Sequence, residues 1–270
     1  MFLVHPVQVA IGPPPPELGA QPAEIPSASG AILHGWIAEG RPGGGVVVLM
    51  HGVRANRLAM LQRALDLKSH GFGVLLFDFQ AHGESLGRHI TFGYLEGRDA
   101  AAAVAFARRR FPEEKIGAIG VSLGGASALL GPRPLAVDAL VLESVFSDIH
   151  PALINRLRVR LGGIAGAVVT LVVAPLLEVM MPPILGVRLG DLRPIDRIGA
   201  VTAPLLVISG TADLYTPIAE AQALYDHAPA SSQFWAVPGA GHVDLRTYEP
   251  AAYWSHVLPF LTGHLQSPQR

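Results

Sequence analysis

The residues with the clearest chemical potential form a short stretch, Gly-Val-Ser-Leu-Gly, at positions 120–124. An apolar β-branched run precedes it and a helical pattern follows it, so Ser122 is predicted to lie on a sharp strand-to-helix turn. The first amides of a helix have no intrahelical partner and favour negative charge. The oxyanion of an acyl-transfer reaction needs such donors. The pattern therefore predicts Ser122 as a nucleophile and the backbone N–H of Leu123 as an oxyanion donor.

A glycine-rich turn between a strand and a helix also occurs in nucleotide-binding folds. The dinucleotide fingerprint requires the order G-x-G-x-x-G. The glycines here lie at 117, 120, 124 and 125, which does not fit that order. The serine nucleophile is therefore the favoured interpretation.

A nucleophilic serine needs a base for its proton and a group that orients the base. The candidate base is His242, in the stretch Pro-Gly-Ala-Gly-His that follows the last predicted strand. The candidate orienting group is Asp213, shortly after a predicted strand that ends at Ile208. The carboxyl ends of parallel strands meet at one rim of a sheet, so both side chains are expected near Ser122. The chain order Ser, Asp, His is also the one expected after such a turn.

Plainer roles exist for the same residues. His242 could be a solvated loop histidine, and Asp213 could cap a helix or a turn. Asp244 lies two residues from His242, and Glu143 and Asp148 follow another predicted strand. These three carboxylates remain rivals for the orienting role.

A second oxyanion donor should come from a loop after an early strand, where Met-His-Gly-Val stands at 50–53. The backbone N–H of Val53 is the candidate. Gly52 allows a close approach of backbone to substrate. His51 either packs under this loop and fixes it or is a plain buried histidine.

Short apolar runs alternate with helical patterns along most of the chain. This alternation favours an α/β fold with a mostly parallel sheet and helices on both faces. The predicted strands are 31–38, 46–50, 74–77, 116–121, 139–142, 205–208 and 233–237, and the predicted helices are 58–69, 95–109, 123–130, 217–227 and 250–264.

The chain divides into an arm, a core and an insertion. Residues 1–28 are proline-rich and are predicted to form an N-terminal arm, with an edge strand possible at 3–11. Residues 29–150 and 195–270 form the predicted core. Residues 151–194, called the insertion below, interrupt the alternation.

The insertion contains 17 uncharged residues at 161–177, the lower limit for a membrane span. A small helical cap over the sheet is favoured, because the strand pattern resumes at Leu205. The other two readings are a membrane span and a surface at 161–187 that contacts lipid or another subunit.

Composition limits the function classes. The 270 residues suit one large domain, and with only 15% charged residues, a net charge of −1 and no long basic run they give no support for nucleic-acid binding. The absence of cysteine removes disulfides, thiolate metal sites and a cysteine nucleophile. No metal or organic cofactor is implied. The N-terminus lacks the pattern of a cleaved signal peptide, so a cytoplasmic monomer or homodimer is expected.

The motifs together resemble the α/β-hydrolase superfamily, and within it the serine-aminopeptidase-like and lysophospholipase-like branch. The resemblance covers about residues 30–265 and rests on His-Gly at 51–52, the stretch 78–85, the serine turn, the stretch 209–213 and Gly-His at 241–242. It implies an eight-stranded sheet, a catalytic triad and often a helical cap where the insertion lies.

One residue departs from the family pattern. Many relatives have arginine where this chain has Gln80, which puts the local salt bridges in doubt but not the catalysis. Haloalkane dehalogenases share the fold but use an aspartate nucleophile, so Ser122 argues against their chemistry.

These residues predict a serine esterase with a small-molecule ester substrate. The apolar insertion favours a carboxylesterase for short to medium acyl groups or other hydrophobic esters. No acidic cluster is evident that would bind a peptide amine, which disfavours an aminopeptidase. Thioesterase, lysophospholipase and monoacylglycerol lipase are the neighbouring enzymatic alternatives. A non-catalytic binding protein with a hydrolase fold is the alternative of another class.

Overall fold

A computed structural model describes residues 4–162, 175–176, 179–242 and 244–267. An eight-stranded sheet in the order β10-β9-β8-β7-β4-β5-β3-β2 forms its centre. All pairs are parallel except β2 with β3 and β3 with β5, so the predicted fold class is confirmed. The strands are β1 Val7–Gln8, β2 Gln21–Pro26, β3 Ile32–Ala38, β4 Val46–Met50, β5 Gly73–Phe77, β6 His82–Gly83, β7 Ile116–Val121, β8 Ala139–Glu143, β9 Leu205–Gly210 and β10 Gln233–Val237.

The central strands are apolar along their whole length because both faces of the sheet are covered. Every residue of β4, β5 and β8 is buried, which is typical of a parallel sheet between two helical layers. Strands β4 and β5 read Val-Val-Val-Leu-Met and Gly-Val-Leu-Leu-Phe, and these short continuous apolar runs made both strands recognisable in the sequence.

Helices pack on both faces of the sheet, and each face has its own hydrophobic core. Residues of α2, α3, α4 and α6 belong to one core, and residues of α1 and α8 belong to the other. The helices are α1 Leu61–Ser69, α2 Tyr94–Arg110, α3 Leu123–Leu130, α4 Ile149–Leu161, α5 Ile195–Ile198, α6 Ile218–His227, α7 Leu245–Tyr248 and α8 Pro250–Leu265, with short 3-10 turns at Pro16–Leu18, Arg57–Met60 and Leu189–Asp191.

The N-terminal arm contains structure that the sequence did not predict. Strand β2 forms one edge of the main sheet, paired antiparallel with β3. Pro22 and Pro26 lie in this strand, and proline is tolerated there because an edge strand need not donate on its outer side. Strand β1, within the predicted range 3–11, pairs with β6 instead of joining the main sheet.

The described part of the insertion is helical. It comprises most of α4, a helical stretch at 179–185 and the turn at Leu189–Asp191. Most of the uncharged run, residues 163–174 and 177, lies outside the described residues, as does much of the predicted lipid-contact surface at 161–187. Within the described ranges, no helix is both long enough and apolar enough to span a bilayer.

Candidate active site

Ser122 lies where β7 ends and α3 begins, on a strained turn. Its backbone has φ 50° and ψ −107°, a conformation that costs a non-glycine residue about 1–3 kcal/mol. The Ser122 N–H donates to the Glu143 carbonyl at 2.8 Å, and the Ser122 carbonyl accepts the Ala126 N–H at 3.0 Å. The neighbouring strand on one side and the helix on the other therefore hold the strained residue in place.

The glycines around Ser122 are required by close packing. A Cβ at Gly120 would lie 2.6 Å from the Gly125 nitrogen, and one at Gly124 would lie 2.3 Å from the Met50 carbonyl oxygen. Both contacts involve backbone atoms that cannot move aside. The small residues on either side of the serine thus let α3 begin directly against the ends of β7 and β4.

His242 and Asp213 come together although 29 positions separate them. The Nδ1 atom of His242 lies 2.8 Å from Oδ2 of Asp213. The other carboxylate oxygen accepts the backbone N–H groups of Tyr215 and Thr216 at 2.8 and 2.9 Å, and the Thr216 hydroxyl donates to Oδ2 at 2.7 Å. Burial alone would raise the pKa of Asp213, but His242 and the Thr216 donors outweigh burial and lower it. An ionised Asp213 in this position can orient the imidazole.

The rival carboxylates have other partners. Asp148 caps the N-terminus of α4, where it accepts the His150 N–H at 2.9 Å. Glu143 and Asp244 both bind the guanidinium of Arg63. Asp213 is thus the candidate that contacts His242.

Ser122 and His242 line one cleft of about 410 Å³. Its walls are largely apolar and include Val53, Met60 and Val121. The Ser122 hydroxyl is buried and has no hydrogen-bond partner among the described residues, so no bond joins it to the imidazole in this state. Catalytic hydrogen bonds are often long in the absence of substrate and tighten when it binds.

The loop at 51–54 passes in front of Ser122 and is held by two histidines. The Phe79 N–H donates to Nε2 of His51 at 3.2 Å, so the proton of this ring lies on Nδ1, which donates to the Gly52 carbonyl at 2.8 Å. Likewise the Arg54 N–H donates to Nε2 of His82 at 3.1 Å. Burial lowers the pKa of both rings; for His51, with a further contribution from His82, it falls to about 3, which keeps that ring neutral.

The contact between His51 and Gly52 fixes one peptide plane. The carbonyl and N–H of a trans peptide point in opposite directions. Since the Gly52 carbonyl faces the His51 ring, the Val53 N–H of the same peptide points away from that ring. A Cβ on Gly52 would fit, 3.8 Å from the Ser122 Cβ, and would fill space directly above the nucleophile.

A buried ion network supports the opposite side of the cleft. Arg63 and Glu143 are only 2% and 1% exposed, and Nη2 of Arg63 lies 2.7 Å from Oε2 of Glu143. The Tyr253 hydroxyl donates to the other Glu143 oxygen at 2.5 Å, and Arg63 also binds Asp244 at 2.9 Å. No local pattern in the sequence indicates this network, which ties the chain after His242 to the strand beside Ser122.

Gln80, the departure from the family pattern, has an amide in place of a guanidinium. Its Nε2 donates to Oε1 of Glu96 at 2.6 Å and to the His89 carbonyl at 2.7 Å. Glu96 also accepts from Thr91 and Gly93, so the buried carboxylate is fully hydrogen-bonded without a cation. The local salt bridge is therefore replaced by neutral hydrogen bonds.

The sequence model of the serine aminopeptidase S33 family, a family of α/β-hydrolases, matches residues 42–181, more than half of the chain. The chain belongs to this family. An uncharacterized protein of Mycobacterium tuberculosis is 29% identical over 259 residues, which cover 93% of this chain and 84% of the relative. The α/β-hydrolase domain-containing protein WAV2 of Arabidopsis thaliana is 26% identical over 250 residues, covering 88% and 77%.

Solved structures support the same fold. The Pyrococcus furiosus esterase Pf2001 superposes with a TM-score of 0.79 at 24% identity, covering 97% of this chain and 98% of that one. A thermophilic esterase from Thermogutta terrifontis gives a TM-score of 0.64 at 20% identity, covering 91% and 100%. At these identities the similarity shows the fold alone. The chemistry of this hydrolase has to be inferred from its own residues.

Proposed function

We propose that this hydrolase cleaves carboxylic esters with short to medium acyl groups or other hydrophobic parts. One observation carries the proposal. Ser122 lies on a strained turn, its hydroxyl has no hydrogen-bond partner among the described residues, and it shares an apolar cleft with the imidazole of His242, which is paired to the buried carboxylate of Asp213. Nucleophilic catalysis by serine needs these three groups and this pairing.

In the proposed mechanism Ser122 attacks the ester carbonyl while His242 takes its proton. Asp213, bonded to Nδ1, leaves Nε2 as the nitrogen that takes the proton, and it stabilises the imidazolium. His242 then protonates the leaving alcohol, and water repeats the sequence on the acyl-enzyme.

The backbone N–H groups of Leu123 and Val53 are the proposed oxyanion donors. Support for Leu123 comes from its position as the first residue of α3, where the amide has no intrahelical partner. Support for Val53 comes from the Gly52 carbonyl bound to His51, which turns the Val53 N–H away from that ring. Losing one oxyanion donor typically lowers kcat by about 10²–10³.

The test compares wild type with Ser122→Ala on p-nitrophenyl acetate and butyrate. We expect the variant to keep its fold, as measured by circular dichroism, and to lose turnover. Ser127→Ala is the matched control, because Ser127 lies on the same helix and its hydroxyl donates to the Leu123 carbonyl instead of facing the cleft. Turnover retained in Ser122→Ala, or no labelling of wild type by a fluorophosphonate, would refute the proposal.

A further inference from the structure

Arg156 brings a positive charge into the wall of the candidate active site. It lies on α4, in the insertion, and lines the same cleft as Ser122, Tyr215 and His242. Its guanidinium carbon is 5.6 Å from the centre of the Tyr215 ring, and that ring is 5.4 Å from the imidazole of His242. The Tyr215 ring thus lies close both to the Arg156 guanidinium and to the imidazole of the proposed base, His242.

No carboxylate of the described residues forms an ion pair with Arg156. Within the described ranges its guanidinium makes a single hydrogen bond, from Nη1 to the Ala152 carbonyl, and this bond is long at 3.5 Å. Arg63, the other arginine of this cleft, is bound by Glu143 and Asp244. Arg156 is half-buried, and the loss of hydration lowers the pKa of its guanidinium.

The nearest acidic groups attract Arg156 without contacting it, because each has its own partners. Asp213 is bonded to His242 and Thr216. Glu220 accepts from Ser147 at 3.2 Å and from Asn155 at 3.0 Å. The guanidinium donors that face the cleft are therefore available to a ligand.

We propose that Arg156 binds a carboxylate carried by the substrate, so that the preferred substrate is an ester with one free carboxylate on an otherwise apolar body. This inference rests on the proposed function, because it assigns a substrate class to the same cleft. A guanidinium binds a carboxylate through two parallel N–H···O bonds. A single arginine also matches the single charge of a carboxylate better than the higher charge of a phosphate.

The apolar walls and the Arg156 guanidinium would recognise different parts of the substrate. Val53, Met60 and Val121 favour a hydrophobic body beside Ser122. A charge-assisted hydrogen bond in this partly desolvated position predicts a preference of about 10- to 100-fold for the anion over a neutral analogue. A cationic substrate, such as a peptide with a free amine, would be disfavoured by the same group.

The first experiment measures binding and needs no turnover. It uses two ester pairs, each a carboxylate and its matched amide. In mono-4-nitrophenyl adipate and its terminal amide the varied group is on the acyl side of the ester. In 4-acetoxybenzoate and 4-acetoxybenzamide it is on the alcohol side. Calorimetry on Ser122→Ala should show, in at least one pair, that the carboxylate binds about tenfold or more tightly than the amide. Adding Arg156→Gln should abolish that preference.

Arg158→Gln is the matched control. Arg158 lies two residues further along α4 and is exposed, on another side of the helix, so its loss removes the same charge outside the cleft. We expect it to leave the preference intact. Arg156→Lys keeps the charge but loses the planar fork, and we expect it to retain only part of the preference.

The second experiment measures kcat and KM of the otherwise wild-type enzyme and of its Arg156 variants on both pairs. The preference should appear in KM, and Arg156→Gln should lower the anion-to-amide ratio of kcat/KM about tenfold or more. Equal binding of both members of each pair by Ser122→Ala, or an undiminished preference after Arg156→Gln is added, would overturn the inference. Failure of the proposed function would show differently, as absence of turnover on every ester, and the binding comparison would still decide the role of Arg156.

Discussion

Replacing one member of the buried ion pair between Arg63 and Glu143 should cause a large loss of stability. Replacing both members should restore most of it. In Arg63→Met the Glu143 carboxylate, 1% exposed, would keep only the Tyr253 hydroxyl as a partner. Breaking a buried ion pair in this way costs about 3–5 kcal/mol, because one charge is left uncompensated. Asp244 contributes little to this cost, since it is 40% exposed and regains water.

The double variant Arg63→Met/Glu143→Leu should recover most of that loss. Removing both charges leaves the Tyr253 hydroxyl as the main unsatisfied group, with a residual cost of about 1–3 kcal/mol. Urea unfolding followed by circular dichroism gives the free energy of unfolding for each variant, and the four proteins form a double-mutant cycle.

Arg108→Met is the control for this cycle. It removes the same side chain from an ion pair with Asp138 whose members are 44% and 36% exposed, and it should cost less than about 1 kcal/mol. The reasoning would be refuted if Arg63→Met cost no more than this control. It would also be refuted if the double variant lost at least as much as the two single variants combined.

Two further predictions concern buried groups beside the site. Burial raises the pKa of Asp99 from 3.8 to about 6, so folding favours its protonated form and its charge destabilises the fold as pH rises from 4 to 6. The free energy of unfolding of Asp99→Asn should therefore exceed that of wild type by up to about 3 kcal/mol at pH 8 and equal it below pH 4. Urea unfolding across that pH range measures the difference, and a difference independent of pH would contradict the prediction. His51→Phe should lower kcat on p-nitrophenyl butyrate by up to about 10²–10³-fold, because the Gly52 carbonyl loses the bond from the His51 ring and keeps the longer one from the Ala55 N–H at 3.3 Å. His51→Asn, whose amide can reach that carbonyl, should retain more activity; equal rates would exclude the role of His51 in orienting this peptide.

The sequence predicted the parts of the fold that local patterns encode. Continuous apolar runs identified the buried strands β4 and β5, and the glycine spacing around Ser122 identified the turn. It also proposed Asp213 and His242, which the structure brings within 2.8 Å of each other. These features depend on residues close together in the chain, or on strand ends that must share a rim.

Features that depend on contacts across the chain were missed. Strand β2 was read as part of an arm, because its prolines and polar residues obscure a pattern that pairing with β3 stabilises. Arg63 gave no signal, because its partner Glu143 lies 80 positions away. Arg156 is one of three arginines at alternate positions, 156, 158 and 160, and this pattern alone does not indicate a role in the site. Helical spacing directs it and Arg158 to different sides of α4, which was the available clue.

The two neutral imidazoles of the 51–54 loop bear on how acidification would affect turnover. Burial lowers the pKa of His51 to about 3 and also lowers that of His82. Protonation of His51 therefore does not contribute to a fall in rate on mild acidification, because this ring continues to hold the Gly52 carbonyl. In a profile of rate against pH for this hydrolase, His51 would keep its side of the loop in place across the range in which Asp99 titrates.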